Sequence, residues 1–153
     1  MRYLIFFAFF GCGQIVNVDY GTDSEFRPCL DQIERLYTEH TNKPIDINED
    51  IIFAELPHLR LGRCAWTDEN RENSVIIINN RHWGELSDHR KVLVLLHELG
   101  HCAWRLGHDE TPKSIMNSYI PGFHYLSHDE TIQLNEVQYK AALKRFFNKV
   151  NAK

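Results

Sequence analysis

His97, Glu98, His101 and His108 lie within a stretch of twelve residues, and their types and spacing suit metal chemistry. His97 and His101 are four apart, so a helix sets them on one face about a turn apart. Two neutral imidazoles placed that way can hold one Zn²⁺. Glu98 follows the first of them and can reach a water on that metal. A catalytic zinc takes three protein ligands and keeps one position open. The helix must therefore end soon after His101 for a third ligand to swing round. Gly107 is a turn residue, and His108 directly after it is the expected third ligand, with Asp109 as the alternative. With Glu98 taking and returning a proton, the set fits metal-assisted hydrolysis, most often of peptide bonds.

The elements that would position these residues can be read from periodicity. Pro28 fits a first helical turn. Cys29, Ile33, Leu36, Tyr37 and His40 then recur at helical spacing, predicting a helix that ends before Pro44. Residues 51–54 and 62–67 are short strand candidates. Residues 74–79 are the clearest strand, β-branched through the centre. Ser87 or Asp88 can cap the next helix. Val92, Leu93, Leu95, Leu96 and Leu99 give that helix a broad apolar surface, so it should be central and buried, with Gly107 as its terminator. Ser127 and Glu130 form a capping box for a last helix to about residue 150, with Val137, Ala141 and Phe147 as core candidates. The fold class expected is α/β in the α+β sense. A short twisted mixed sheet packs on a central zinc-binding helix, with further helices at the N- and C-terminal ends.

The chain has 153 residues, enough for one domain, and 43% are hydrophobic, enough for a core. The net charge of −4 and the scattered basic residues point away from nucleic acid. Arg2, the apolar run 3–10 and then Gly11 and Cys12 resemble a bacterial lipoprotein signal. Residues 1–11 would be removed and Cys12 lipidated as the first mature residue. Phe9 stands where that signal usually has an aliphatic residue. Residues 3–10 are too few to span a bilayer, so a lipid anchor would be the only membrane attachment. Residues 12–26 read as a tether and 27–150 as the metallopeptidase domain. Export to a cell envelope implies an oxidising compartment. Three cysteines remain after Cys12. Cys102 reads as a small hydrophobe packed behind the metal helix, which leaves Cys29 and Cys64 as the expected disulfide.

Ser114, Ile115, Met116 and Asn117 supply a second signal downstream of the histidines. With it, residues 74–120 resemble the metzincin clan of zinc peptidases. Their zinc helix reads His-Glu-x-x-His-x-x-Gly-x-x-His, and a Met-turn lies beneath the metal. His97, Glu98, His101 and Met116 match those roles. The resemblance implies a zincin-like fold, one Zn²⁺, a peptide or protein substrate and an antiparallel edge strand beside the site, which residues 74–79 would supply. The chain departs from the pattern at three places. Six residues separate His101 from His108 instead of five, Trp104 stands where the glycine would be, and Gly107 stands where the third histidine would be. Many metzincins carry a tyrosine two residues after the methionine, near the transition state; here Tyr119 is three after Met116. Asp109 would cap the loop or orient a ligand histidine. Arg27, Pro28 and Cys29 only superficially match the zinc-blocking cysteine of some metzincin proforms. His124 and His128 read as surface or cap residues, and a monomer is expected. Two rival functions follow from the same residues. One is a gluzincin-type peptidase whose third ligand is Glu130 or Glu136 on the last helix. The other is a zinc-stabilised envelope binding protein without catalysis.

Overall fold

The computed structural model describes residues 23–45, 47–57, 60–66, 68, 73–111, 113–118 and 136–153. Their elements run α1 (Asp23–Thr41), β1 (Asp50–Ala54), β2 (Gly62–Trp66), β3 (Ser74–Asn79), α2 (Asn80–Trp83), α3 (Asp88–Cys102) and α4 (Glu136–Asn151). The α+β class expected from the sequence is the one found. Three strands form one mixed sheet in the order β1-β3-β2. β1 runs parallel to β3, with Ile52 opposite Ile77. β2 runs antiparallel to β3, with Cys64 opposite Ile76.

β3 is central, which explains its β-branched run. Val75, Ile76 and Ile78 are buried, as a strand covered on both faces requires. The antiparallel edge strand is therefore β2. Residues 74–79 do not supply it, because they are paired along both edges.

α3 lies against β2, β3 and α1. Every residue from Val92 to Gly100 is buried. Leucine and valine on nearly all sides make it a core helix, not an amphipathic surface one. It ends at Cys102, earlier than the Gly107 terminator suggested. The chain turns at Arg105, whose φ of 51° lies in the left-handed region. The Leu106 N–H then donates to the Gly100 carbonyl at 2.7 Å and closes the end of the helix.

Two expectations about the outer helices change. α1 starts at Asp23, so the proposed tether overlaps it, and Phe26 packs at 4.6 Å from Phe53 between ring centroids. On α4 the buried face is Ala142, Leu143, Phe146, Phe147 and Val150, a three- and four-residue spacing. Val137 and Ala141 lie off that face and are exposed. The expected start of the last helix at Ser127 falls outside the described residues.

The disulfide joins Cys64 to Cys102, with Cα atoms 5.6 Å apart, and Cys29 is buried and free. Cys102 is buried, as expected, but it is bonded to β2 and not a free small hydrophobe behind the helix. It lies four residues after Glu98, so both share the side of α3 that faces β2. Cys29 sits in the core, where burial pushes its thiol pKa up. Closing a loop with a sequence separation of 38 stabilises the fold by about 4 kcal/mol in the chain-entropy model.

Candidate metal centre

α3 and the loop after it bring the three histidines together. His97, His101 and His108 each offer a ligand nitrogen, and these atoms lie within 4.8 Å of one another. His101 Nε2 is 3.1 Å from His97 Nε2 and 3.2 Å from His108 Nε2. A tetrahedral ion with bonds of about 2.0–2.1 Å to nitrogen spaces its donors about 3.3–3.4 Å apart, close to this geometry.

Backbone carbonyls orient two of the rings. His97 Nδ1 lies 2.7 Å from the Ile115 oxygen, and His101 Nδ1 lies 2.8 Å from the Leu106 oxygen. A carbonyl can only accept, so each Nδ1 carries the hydrogen and donates it. In a neutral ring Nε2 is then a lone pair. Two lone pairs facing each other at about 3 Å repel unless a cation or a proton lies between them. Burial works against the proton. The His97 pKa is lowered to about 4, mainly by desolvation, with the bond to Ile115 opposing the shift and charge on His101 and His108 adding to it. Desolvation also lowers the His101 pKa. Both rings are neutral at pH 7, the form a metal requires. A set of three imidazoles suits a first-row divalent metal.

His108 differs from the other two. It is exposed, whereas His97 is buried and His101 half-buried. Among the described residues no carbonyl holds its ring.

Glu98 is 6% exposed. Burial pushes its pKa up to about 7, against an opposing hydrogen bond from the Cys64 backbone N–H and the charge of Arg60. Its carboxyl fills the space a side chain at Gly62 would need: a Cβ there would sit 2.7 Å from Glu98 Oε1. Gly62 opens β2, so this glycine lets the edge strand approach the acid. Gly100 plays the same part on the other side of α3. A Cβ there would overlap the Met116 sulfur. Met116 is 1% exposed and makes an apolar floor against the helix between the two ligand turns.

Asp109 ties the loop to its surroundings. Its carboxylate accepts from the Thr111 N–H at 3.0 Å, from the Thr111 hydroxyl at 2.6 Å, from the Ser114 hydroxyl at 3.0 Å and from the Lys149 ammonium. These donors, Lys149 first, hold its pKa well below the usual carboxylate range. The Asp109 N–H donates to the Met116 carbonyl at 2.8 Å, so the histidine loop and the methionine turn are one hydrogen-bonded unit. Among the described residues Asp109 makes no hydrogen bond to a ligand ring; the carbonyls of Ile115 and Leu106 take that role for His97 and His101.

Glu136, the alternative ligand on α4, is exposed, pairs with Lys140 at 2.7 Å and is not part of the histidine group. Cys12, Tyr119, His124, His128 and Glu130 lie outside the described residues. Sequence reasoning missed the two carbonyls, which no side-chain pattern can reveal. It also missed Gly62, Gly100 and Lys149. Gly100 did carry a signal. Mid-helix glycine costs about 0.8–1 kcal/mol relative to alanine, so it calls for a packing reason. Comparison with protein-family models, with curated proteins and with solved structures gives no match.

Proposed function

We propose that this chain is an exported zinc metallopeptidase of metzincin type. The observation that carries the reading is the convergence of three imidazole nitrogens beside a buried acid, Glu98, one position further round the same helix. When bound, a zinc ion would supply Lewis acidity toward a peptide carbonyl and toward water. His97, His101 and His108 would hold it as neutral donors. Glu98 would take the water's proton and return it to the leaving amine. A carboxyl with a pKa near 7 suits that exchange at neutral pH. β2 pairs with β3 along one edge only among the described residues. An extended peptide added along its other edge would pass the Gly62 and Cys64 backbone that touches Glu98.

The Cys64–Cys102 disulfide supports export, since such bonds persist in oxidising compartments. Lipidation at Cys12 belongs to the same proposal and is read by mass spectrometry of the native N-terminus.

One observation favours the non-catalytic alternative. Glu98 also bridges α3 to β2 through the Cys64 N–H, a structural task that needs no chemistry. Glu98→Gln separates the two readings, because the amide oxygen still accepts that bond but the side chain cannot take a proton. The zinc-loaded variant should keep its metal and fold and lose on the order of 10²–10⁴ in rate against a peptide library. Equal cleavage by variant and parent, or none by the parent, would refute the peptidase.

A further inference from the structure

Three basic residues at a spacing of four line one side of α4 and its C-terminal extension. Arg145 donates to the Lys113 carbonyl at 3.4 Å, Lys149 to the Asp109 carboxylate, and Lys153 to the carbonyls of Trp104 at 3.3 Å and Arg105 at 2.7 Å. Read along α4, the partners descend through 113, 109 and then 105 and 104. The helix thus lies antiparallel to the segment 104–113 and grips it once per turn. That segment carries His108 in its middle. It is also the part of the site with the least burial of its own, since His108 is exposed and no carbonyl orients its ring among the described residues.

We propose that α4 is the positioning element for the third metal ligand, acting through Lys149 on Asp109. The inference rests on the metal-binding half of the function proposed above and is independent of hydrolysis. His97 and His101 are set by α3, whose residues 92–100 are buried. His108 touches the other two rings, but among the described residues no carbonyl orients it, so its place follows the backbone of its loop. The Asp109 carboxylate fixes that backbone by turning back on Thr111 and Ser114, and Lys149 holds the carboxylate from outside the loop. Lys153 anchors the point where the chain leaves α3, at the left-handed Arg105. Partners of this kind, outside the metal's own ligands, typically govern about 10–100-fold in metal affinity. An ordinary exposed ion pair governs almost nothing.

The test uses the full chain with Lys149→Met, Lys149→Arg and Asp109→Asn. Zn²⁺ affinity is read by chelator competition, the visible spectrum is read with Co²⁺ in the site, and the metal-free melting temperature is read in parallel. Lys149→Met and Asp109→Asn should each weaken Zn²⁺ by about 10–100-fold and alter the Co²⁺ spectrum, with the metal-free melting temperature nearly unchanged. Lys149→Arg should restore most of the affinity and the parental spectrum. Parental affinity in Lys149→Met and Asp109→Asn would overturn the proposal. So would a loss in Lys149→Met that arginine leaves unrestored and that tracks the metal-free melting temperature, since that pattern marks a structural role. A parent that binds Zn²⁺ in a Lys149-dependent way but cleaves nothing keeps this inference and removes the peptidase. A parent that binds no Zn²⁺ removes both.

Discussion

The site has two halves held by different physics. His97 and His101 stand on a helix buried on nearly every side, and each ring donates to a backbone carbonyl. Their geometry is a by-product of the core, set by burial and by the rigidity of α3. His108 stands on an exposed loop whose shape comes from a network of charged and hydroxyl groups around Asp109. One half is fixed by hydrophobic packing, which salt does not weaken. The other is fixed by polar bonds near the surface, which compete with water. A metal bound across the two would tie the less stable half to the more stable one.

Ligand replacement gives the largest expected effect and separates the halves. His97→Ala and His108→Ala should each abolish stoichiometric zinc by metal analysis. In the metal-free protein they should differ. His97→Ala leaves the Ile115 carbonyl without its donor in a buried place, which costs about 1–3 kcal/mol. His108→Ala removes an exposed ring and should stay within about 0.5 kcal/mol of the parent. Equal losses in urea unfolding would erase the contrast. Full zinc in His108→Ala together with none in Asp109→Ala would move the third ligand to Asp109.

A smaller effect is expected at Gly100, in the buried half. A Cβ there meets the Met116 sulfur, so Gly100→Ala should destabilise by about 1–3 kcal/mol despite alanine's better helix propensity. Met116→Ala combined with it should recover part of that loss. A stabilising Gly100→Ala would mean that the methionine floor is not packed against α3.

The smallest effect is a slope with pH, again in the buried half. The His97 pKa lies below its unfolded value, at about 4. The unfolded chain takes up this proton first, so stability is lost as pH falls from about 6.5 to about 4. The Glu98 pKa lies above its unfolded value, at about 7. Its contribution is present below about pH 4.5 and is lost as pH rises to about 7. Between about pH 4.5 and 6.5 the two slopes oppose each other. Glu98→Gln should therefore steepen the rise of metal-free stability with pH by up to about 1.4 kcal/mol per pH unit in that window. An unchanged slope by urea unfolding in chelator would show that Glu98 ionises as freely folded as unfolded.

Much of the scaffold was legible because it is periodic. The three strands, the start of α3 and its leucine face follow from local spacing alone. The histidine cluster was legible for the same reason, since positions 97 and 101 must share a helix face. What failed depended on neighbours distant in the sequence. Strand order decides that β2 and not β3 is the edge, and no local pattern encodes it. The Cys64–Cys102 bridge joins a strand to a helix 38 residues on, and only the spacing of Cys102 from Glu98, which puts both on one side of α3, hints at it locally. The turn assigned to Gly107 falls instead at Arg105, where Leu106 has to reach back to Gly100. On α4 Phe147 lies on the buried face, whereas Val137 and Ala141 are out of phase with it on the helical wheel.

The disulfide also decides which donor atoms the site can offer. Thiolate is the softest ligand in this chain and would outcompete imidazole for many metals. Cys102 adjoins His101, and Cys64 adjoins Glu98 through its backbone. Bonded to each other, the two sulfurs are withdrawn from ligation. Burial keeps the thiol of Cys29 protonated. Among the described residues, nitrogen is therefore the donor that the oxidised chain leaves for the histidine group.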